Sequence, residues 1–258
     1  MSNPIELASQ LAAARASGRQ ITRFDGLYLP EDEHEAFAIM CHVAELLRWE
    51  QRGWKIAATN ALMQKKLRTA EPVCGITFDR HHIAGPATFS GSELLDPIIE
   101  CEFFFTLAKS LPPRATEYGA EDIEDAVGKV EVGIEIAECR FARKNLPPAI
   151  YIQADGFASG RYVHGNEVNG WRAALAKGID VRLTRNGAAL SQGASSDVMG
   201  NPVNAVTWLA NRLIKAGKWL KAGQVVSSGS CNILVPARQG DRFIAEFSGI
   251  GAVEVNIA

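Results

Sequence analysis

The chain is poor in the features that would place it in several large classes. Its five cysteines, at positions 41, 74, 101, 139 and 231, form no CxxC pair, which argues against a zinc cluster or disulfide framework and for separate core thiols. No apolar run approaches the length needed to cross a bilayer. The opening stretch MSNPIELASQLAAARASGRQ is amphipathic and carries Glu6, so it lacks the basic start and apolar centre of an export signal. No membrane partner and a cytoplasmic location are therefore expected. Charge of one sign is also missing: 27 Lys and Arg stand against 29 Asp and Glu, for a net charge of −2. With the basic residues dispersed, no nucleic-acid footprint is expected. Walker and dinucleotide glycine motifs are absent, as is a GxSxG elbow, and SSGSCN at 227–232 reads as a polar bend between strands.

What is present is the patterning of a folded soluble chain of 258 residues, long enough for one large core. We expect an N-terminal helical region, 1–52, packed on a β-rich body, 53–258, as one integrated domain. Residues 4–17 and the stretch LPEDEHEAFAIMCHVAELLRWEQR read as helices, with Pro30, Glu31, Asp32 and Glu33 suited to the start of the second. Its Phe37, Met40, Val43 and Leu47 recur at core-packing spacing. Strands are expected near 54–58, 98–107, 130–138, 149–154, 179–184, 225–229, 231–236, 242–247 and 251–257. Asn186-Gly187 signals a hairpin. The one long helix of the second half is placed at 202–217, with Asn201 as cap and Pro202 in its first turn. The fold class is α+β, β-rich, and regular strand–helix alternation is missing.

The run DPIIECEFFFTLAK, 96–109, puts Glu100 and Glu102 on one face of a strand and Cys101, Phe103 and Phe105 on the other. Two readings stand side by side. On an edge strand the polar face meets water; deep in the fold the two acids need a cation, a proton or hydrogen-bond donors. In KVEVGIEIAECRF, Glu135 is a third acid among strand formers, and three carboxylates suit a hard cation such as Mg²⁺ or Mn²⁺. Lys55 in RGWKIAATN is either an anion-orienting or proton-moving group or a strand-end lysine reaching solvent, and Thr59 and Asn60 are turn formers or ligands. YIQADGFASGRYVHG offers Asp155, Ser159, Arg161 and His164, and Asp155-Gly156 is itself a turn signal. His81 and His82 are placed in a loop.

Taken in order, GWKIAATN, DPIIECEFFFTLAK, VEVGIEIAECRF, IQADGFASGRYVHG, MGNPVNAVTWLANRL, WLKAGQVVSSGSCN and GDRFIAEFSGIGAVEV resemble the 2-keto-4-pentenoate hydratase and 4-oxalocrotonate decarboxylase family. The resemblance implies a mixed β-rich fumarylacetoacetate hydrolase-like fold with N-terminal helices. It also implies Glu100, Glu102 and Glu135 as ligands of a divalent Mg or Mn ion, Lys55 as the site lysine, and Asp155 as a proton-relay candidate. Gly156 and Ser159 are implied as cavity residues, and the assembly as a homo-oligomer; Asn60, which stands where the family has a serine, is kept as a substrate-binding candidate. The expected substrate is a small 2-keto or 2-hydroxydienoate acid. Hydration of a 2-hydroxypenta-2,4-dienoate is the leading activity, ahead of oxalocrotonate decarboxylation, acylpyruvate-type hydrolysis and noncatalytic 2-keto-acid binding. The chain departs from the family pattern at Ala57, Asn60, Cys74, Glu138 and Cys139.

Overall fold

The computed structural model describes residues 3–258. Helix α1 spans Pro4–Ser17; the Asn3 side chain accepts from the Glu6 N–H, and Gly18 ends it at φ 62°. Helix α2, Glu33–Leu47, begins at Asp32, whose carboxylate accepts from the Glu35 N–H. It is shorter at both ends than 29–52, because Arg48 turns left-handed at φ 54° and the chain enters strand β1, Gln51–Ala57. Short helix α3, Ala61–Leu67, is capped by Asn60.

The larger sheet places β1 between β2 (Val73–Phe78) and β10 (Val225–Ser227), then runs through β5 (Ile98–Leu107), β6 (Val127–Ala137) and β7 (Arg161–Glu167) to β3 (His82–Ala84), with β11 (Val235–Pro236) also on β5. The smaller sheet orders β4 (Ala87–Phe89), β13 (Gly251–Ile257), β12 (Arg242–Phe247), β8 (Asp180–Arg185) and β9 (Ala188–Ala194). Asn186 and Gly187, at φ 53° and 81°, make the β8–β9 hairpin turn. Helices α4 (Ala120–Ala126), α6 (Trp171–Lys177) and α7 (Pro202–Lys215) cover the body. In α7, Val206, Leu209 and Leu213 are buried, as the apolar stripe requires.

Two expectations need correction. Residues 149–154 are helix α5 rather than a strand. Pro148 stands at its N-terminal boundary, where a missing N–H costs nothing, and Tyr151 and Ala154 bury one helical face beside α1 and α2. In 231–236 only Val235–Pro236 pair as a strand, since the Cys231 N–H and the Asn232 carboxamide are taken up by the backbone of Cys101. The other expected strands are present within a few residues of their expected bounds, with 225–229 shortened to β10, whereas β2 and β7 lie outside the expected set; the fold is α+β.

Strand β5 lies inside the sheet, between β10 and β6, so the edge-strand reading of its two acids does not apply. Cys101, Phe103 and Phe105 enter the core with Val132 and Ile134 of β6 and Phe243 and Val255 of the smaller sheet. The opposite face carries the acids.

Candidate active site

Register assembles the site. Glu100 pairs with Glu135, and Glu135 pairs on its other side with Tyr162, so three neighbouring strands project polar groups together. Lys55 on β1 lies opposite Ser227 on β10. Glu102 and Glu135 are fully buried, Glu100 is 7% exposed and Lys55 is 1% exposed. Oxygens of the three carboxylates lie within 4.8 Å of one another.

Most of the polar atoms here have a partner. Lys55 Nζ is 3.1 Å from Glu135 Oε1, which also accepts from the Tyr162 hydroxyl at 3.1 Å. Glu102 Oε2 accepts from the Ser227 hydroxyl and from the Gly229 N–H at 3.0 Å. Gly229, at φ 98°, lets that backbone approach; a Cβ there would stand 2.5 Å from the Thr59 side chain. Two atoms stand apart: Glu102 Oε1 and Glu135 Oε2 are buried without a hydrogen-bond partner. Buried orphan oxygens on carboxylates are costly.

Charge points the same way. Three carboxylates against the single Lys55 ammonium leave two negative charges in excess, the charge of one divalent cation. Without such an ion, burial and the Glu100 charge outweigh the opposing pull of Lys55 and leave the Glu135 acid raised to about 7. Burial and the neighbouring acids Glu135 and Glu100 hold Glu102 well above the usual range. Burial pulls the Lys55 ammonium down, but Glu135, Glu100 and Glu102 outweigh it and hold the group at about 12. The all-oxygen donor set, the orphan atoms and the excess charge fit a hard dication such as Mg²⁺ or Mn²⁺.

Lys55 and Glu100 close the inner end of a cavity of about 320 Å³ whose wall is mostly apolar and includes Asn60 and Cys139. Asn60 Oδ1 is occupied by the Met63 N–H at 2.9 Å, which leaves its amide hydrogens for the cavity. Asp155, Gly156 and Ser159 lie behind the wall. Asp155 Oδ1 meets Arg15 at 3.1 Å, and its Oδ2 meets the Arg140 backbone and side chain, each at 3.1 Å. Its hydrogen bonding is thus given to two buried arginines. Ser159 Oγ donates to the Ile76 carbonyl at 2.8 Å and lies 3.0 Å from the Tyr162 hydroxyl, joining the hydrogen-bond group behind Glu135.

Sequence reasoning did not single out Tyr162, Ser227, Arg15 or Arg140. Only cross-strand register reveals the first two, and the arginines act across long sequence separations. His82 begins β3, and its Nδ1 is 2.9 Å from His164 Nε2, whose ring contacts Glu131 at 3.1 Å.

A 2-keto-4-pentenoate hydratase of Paraburkholderia xenovorans is 30% identical over 251 residues, covering 96% of this chain and 92% of that protein. The chain belongs to the 2-keto-4-pentenoate hydratase family. A 2-oxo-hept-4-ene-1,7-dioate hydratase of Escherichia coli is 28% identical over 258 residues, covering 96% and 95%. No family model matches the chain. A 4-oxalocrotonate decarboxylase from Pseudomonas putida, in complex with magnesium and adipate, superposes with a TM-score of 0.88 at 21% identity, covering 99% of this chain and 97% of that one. That likeness shows the fumarylacetoacetate hydrolase-like fold. Family membership and the glutamate cluster together make the protein an enzyme with metal-associated chemistry.

Proposed function

We propose that the protein is a divalent-metal-dependent hydro-lyase that adds water to a 2-hydroxypenta-2,4-dienoate-like acid. The observation that carries the metal-dependent part is the pair of orphan oxygens on Glu102 and Glu135, in a buried acid cluster adjoining the cavity. The relatives named hydratases support the reaction type. Glu100, Glu102 and Glu135 would hold Mg²⁺ or Mn²⁺. When bound, the ion supplies positive charge against the negative charge that develops at the substrate's 2-oxygen.

The chain's own groups do the rest. Lys55 stays protonated, fixes Glu135 and attracts the substrate carboxylate to the inner end of the cavity. Asn60 offers amide hydrogens from the wall. Apolar residues around the tail keep bulk water from the dienoate. Asp155, held by Arg15 and Arg140, acts here by fixing the wall.

A second reading, decarboxylation of an oxalocrotonate-like diacid, draws support from Lys66 and Arg143, two exposed cations that line the same cavity. One experiment separates the two. Freshly generated 2-hydroxypenta-2,4-dienoate and 4-oxalocrotonate are incubated with the protein and Mg²⁺ or Mn²⁺, and product masses are measured. The hydratase reading expects a gain of one water on the dienoate that disappears with chelator and in Glu102→Ala. Loss of carbon dioxide from the diacid, without hydration of the dienoate, would replace it by the decarboxylase reading.

A further inference from the structure

We propose that the cavity wall around Phe157 selects a substrate with an uncharged hydrocarbon tail and rejects one whose tail ends in a second carboxylate. This rests on the reading of the cavity as a 2-keto-acid site. Beyond Lys55 and Glu100 the cavity is walled by Ala58, Leu67, Ile152, Phe157, Ala158 and Leu234. Several of these form a small apolar cluster of their own, in which Ala58, Val73 and Phe157 are buried against Leu67 and Ile152.

The backbone that presents this wall is held in an unfavourable conformation. Gly156, Phe157 and Ala158 are consecutive left-handed residues at φ 80°, 49° and 59°, and Ala58, in the same apolar cluster as Phe157, stands at φ 55°. Side chains rarely adopt that region, and such strain persists only where the surroundings enforce it. The enforcing contacts are visible. Arg15 Nη1 and Arg140 Nη2 each donate to the Ser159 carbonyl at 2.9 Å, while both arginines also hold the Asp155 carboxylate. The strained run is therefore clamped on both sides by the same two buried cations. Inside it, the Phe157 N–H donates to the Ile152 carbonyl, and the Ala158 carbonyl accepts from the Glu138 N–H, both at 2.8 Å. A buried ion network that faces away from the cavity thus has a function at the cavity, which is to keep Phe157 in its wall.

A terminal carboxylate brought against the apolar residues of this wall loses hydration without gaining a charged partner, and of the polar lining Ser230 Oγ donates to the Asn232 carbonyl while the Asn232 amide donates to Ser191 Oγ. The cations Lys66 and Arg143 are exposed, where an ion pair gains little, and Asp96 lines the same cavity with the opposite charge. A methyl-ended tail meets no such penalty. The cavity of about 320 Å³ has room for several carbons beyond the keto acid.

Matched, unreactive probes test this. 2-Oxohexanoate and 2-oxoadipate share a six-carbon 2-keto-acid chain and differ in ending in methyl or carboxylate. Their binding is measured by calorimetry with Mn²⁺, with pyruvate as a tail-less control. We expect 2-oxohexanoate to bind about tenfold or more tightly than 2-oxoadipate. Phe157→Ala should weaken 2-oxohexanoate about fivefold while leaving pyruvate unchanged, and Lys66→Ala and Arg143→Ala should leave the wild-type ratio intact. Equal or tighter binding of 2-oxoadipate by the wild-type protein overturns the proposal whether or not any variant folds. So does a ratio that depends on Lys66 or Arg143. Failure of all three probes to bind, pyruvate included, would instead remove the keto-acid reading of the site.

Discussion

Tyr162 donates its hydroxyl hydrogen to Glu135, and its ring stacks on His82 at 4.6 Å and meets Phe104 edge-on at 6.0 Å. The two rings fix the tyrosine ring, and its hydroxyl sits between Glu135 and Ser159. Removing it leaves Glu135 Oε1 with Lys55 alone and frees the carboxylate to rotate. Tyr162→Phe should therefore weaken Mn²⁺ binding about tenfold or more, as loss of groups that orient metal ligands does, with a nearly unchanged melting temperature without metal. Unchanged Mn²⁺ affinity in a folded variant would show that Tyr162 only fills space. Gly133 contributes through what it lacks: a Cβ there would lie 2.1 Å from the Phe104 ring. Gly133→Ala should cost about 1–3 kcal/mol in chemical denaturation, the usual range for overpacking a tight core; a neutral result would mean that the Phe104 ring has room to move.

Strands β5 and β6 were legible because an alternating strand shows in the sequence which residues share a face. Alternation put Glu100 and Glu102 on one face of their strand and Glu135 beside Glu131 on one face of another; that the two faces are the same side of the sheet comes from the β5–β6 register. Ser227 could not, because SSGSCN is as polar as any bend and only its place on β10 brings a hydroxyl to Glu102. The stretch 149–154 was misread since six largely apolar residues have no period of their own, and the preceding Pro148 decides for helix. Asp155 was hardest to place. An acid before a glycine looks the same whether it faces a cavity or an arginine 140 residues away in sequence. At this scale the structure makes a definite prediction. Asp155→Asn keeps the shape but leaves Arg15 and Arg140 buried without their counter-charge, so unfolding free energy should drop by about 3–5 kcal/mol. A loss well under about 1 kcal/mol would show that neutral hydrogen bonds suffice to hold the clamp.

Across the whole molecule, half-buried histidines couple stability to pH. His81 is held down at about 3 by burial and then by the surrounding Arg15, Arg161, Arg80 and Arg140. His82 is held at about 2 by burial and then by His164 and Arg52. Between those values and the ordinary 6.5 the unfolded chain takes up protons that the folded chain refuses, so this contribution to stability is present above 6.5 and is lost as pH falls. Without metal, Glu135 at about 7 acts in the opposite sense, since folding raises its affinity for a proton. The histidine part is therefore read as a difference. His81→Phe, which can pack where the His81 ring now meets Trp49 edge-on at 5.4 Å, should lose less stability than wild type between pH 7 and pH 4. Parallel curves for the two proteins would mean that His81 titrates alike in both states.

Mn²⁺ titration followed by calorimetry and by electron paramagnetic resonance reads out whether one dication binds where Glu100, Glu102 and Glu135 converge. One site per chain is expected in the wild-type protein, with affinity reduced more than about a hundredfold by Glu102→Gln, beyond what loss of an outer partner causes. Wild-type protein that binds no Mn²⁺, or a folded Glu102→Gln protein that binds it as tightly as wild type, would contradict it.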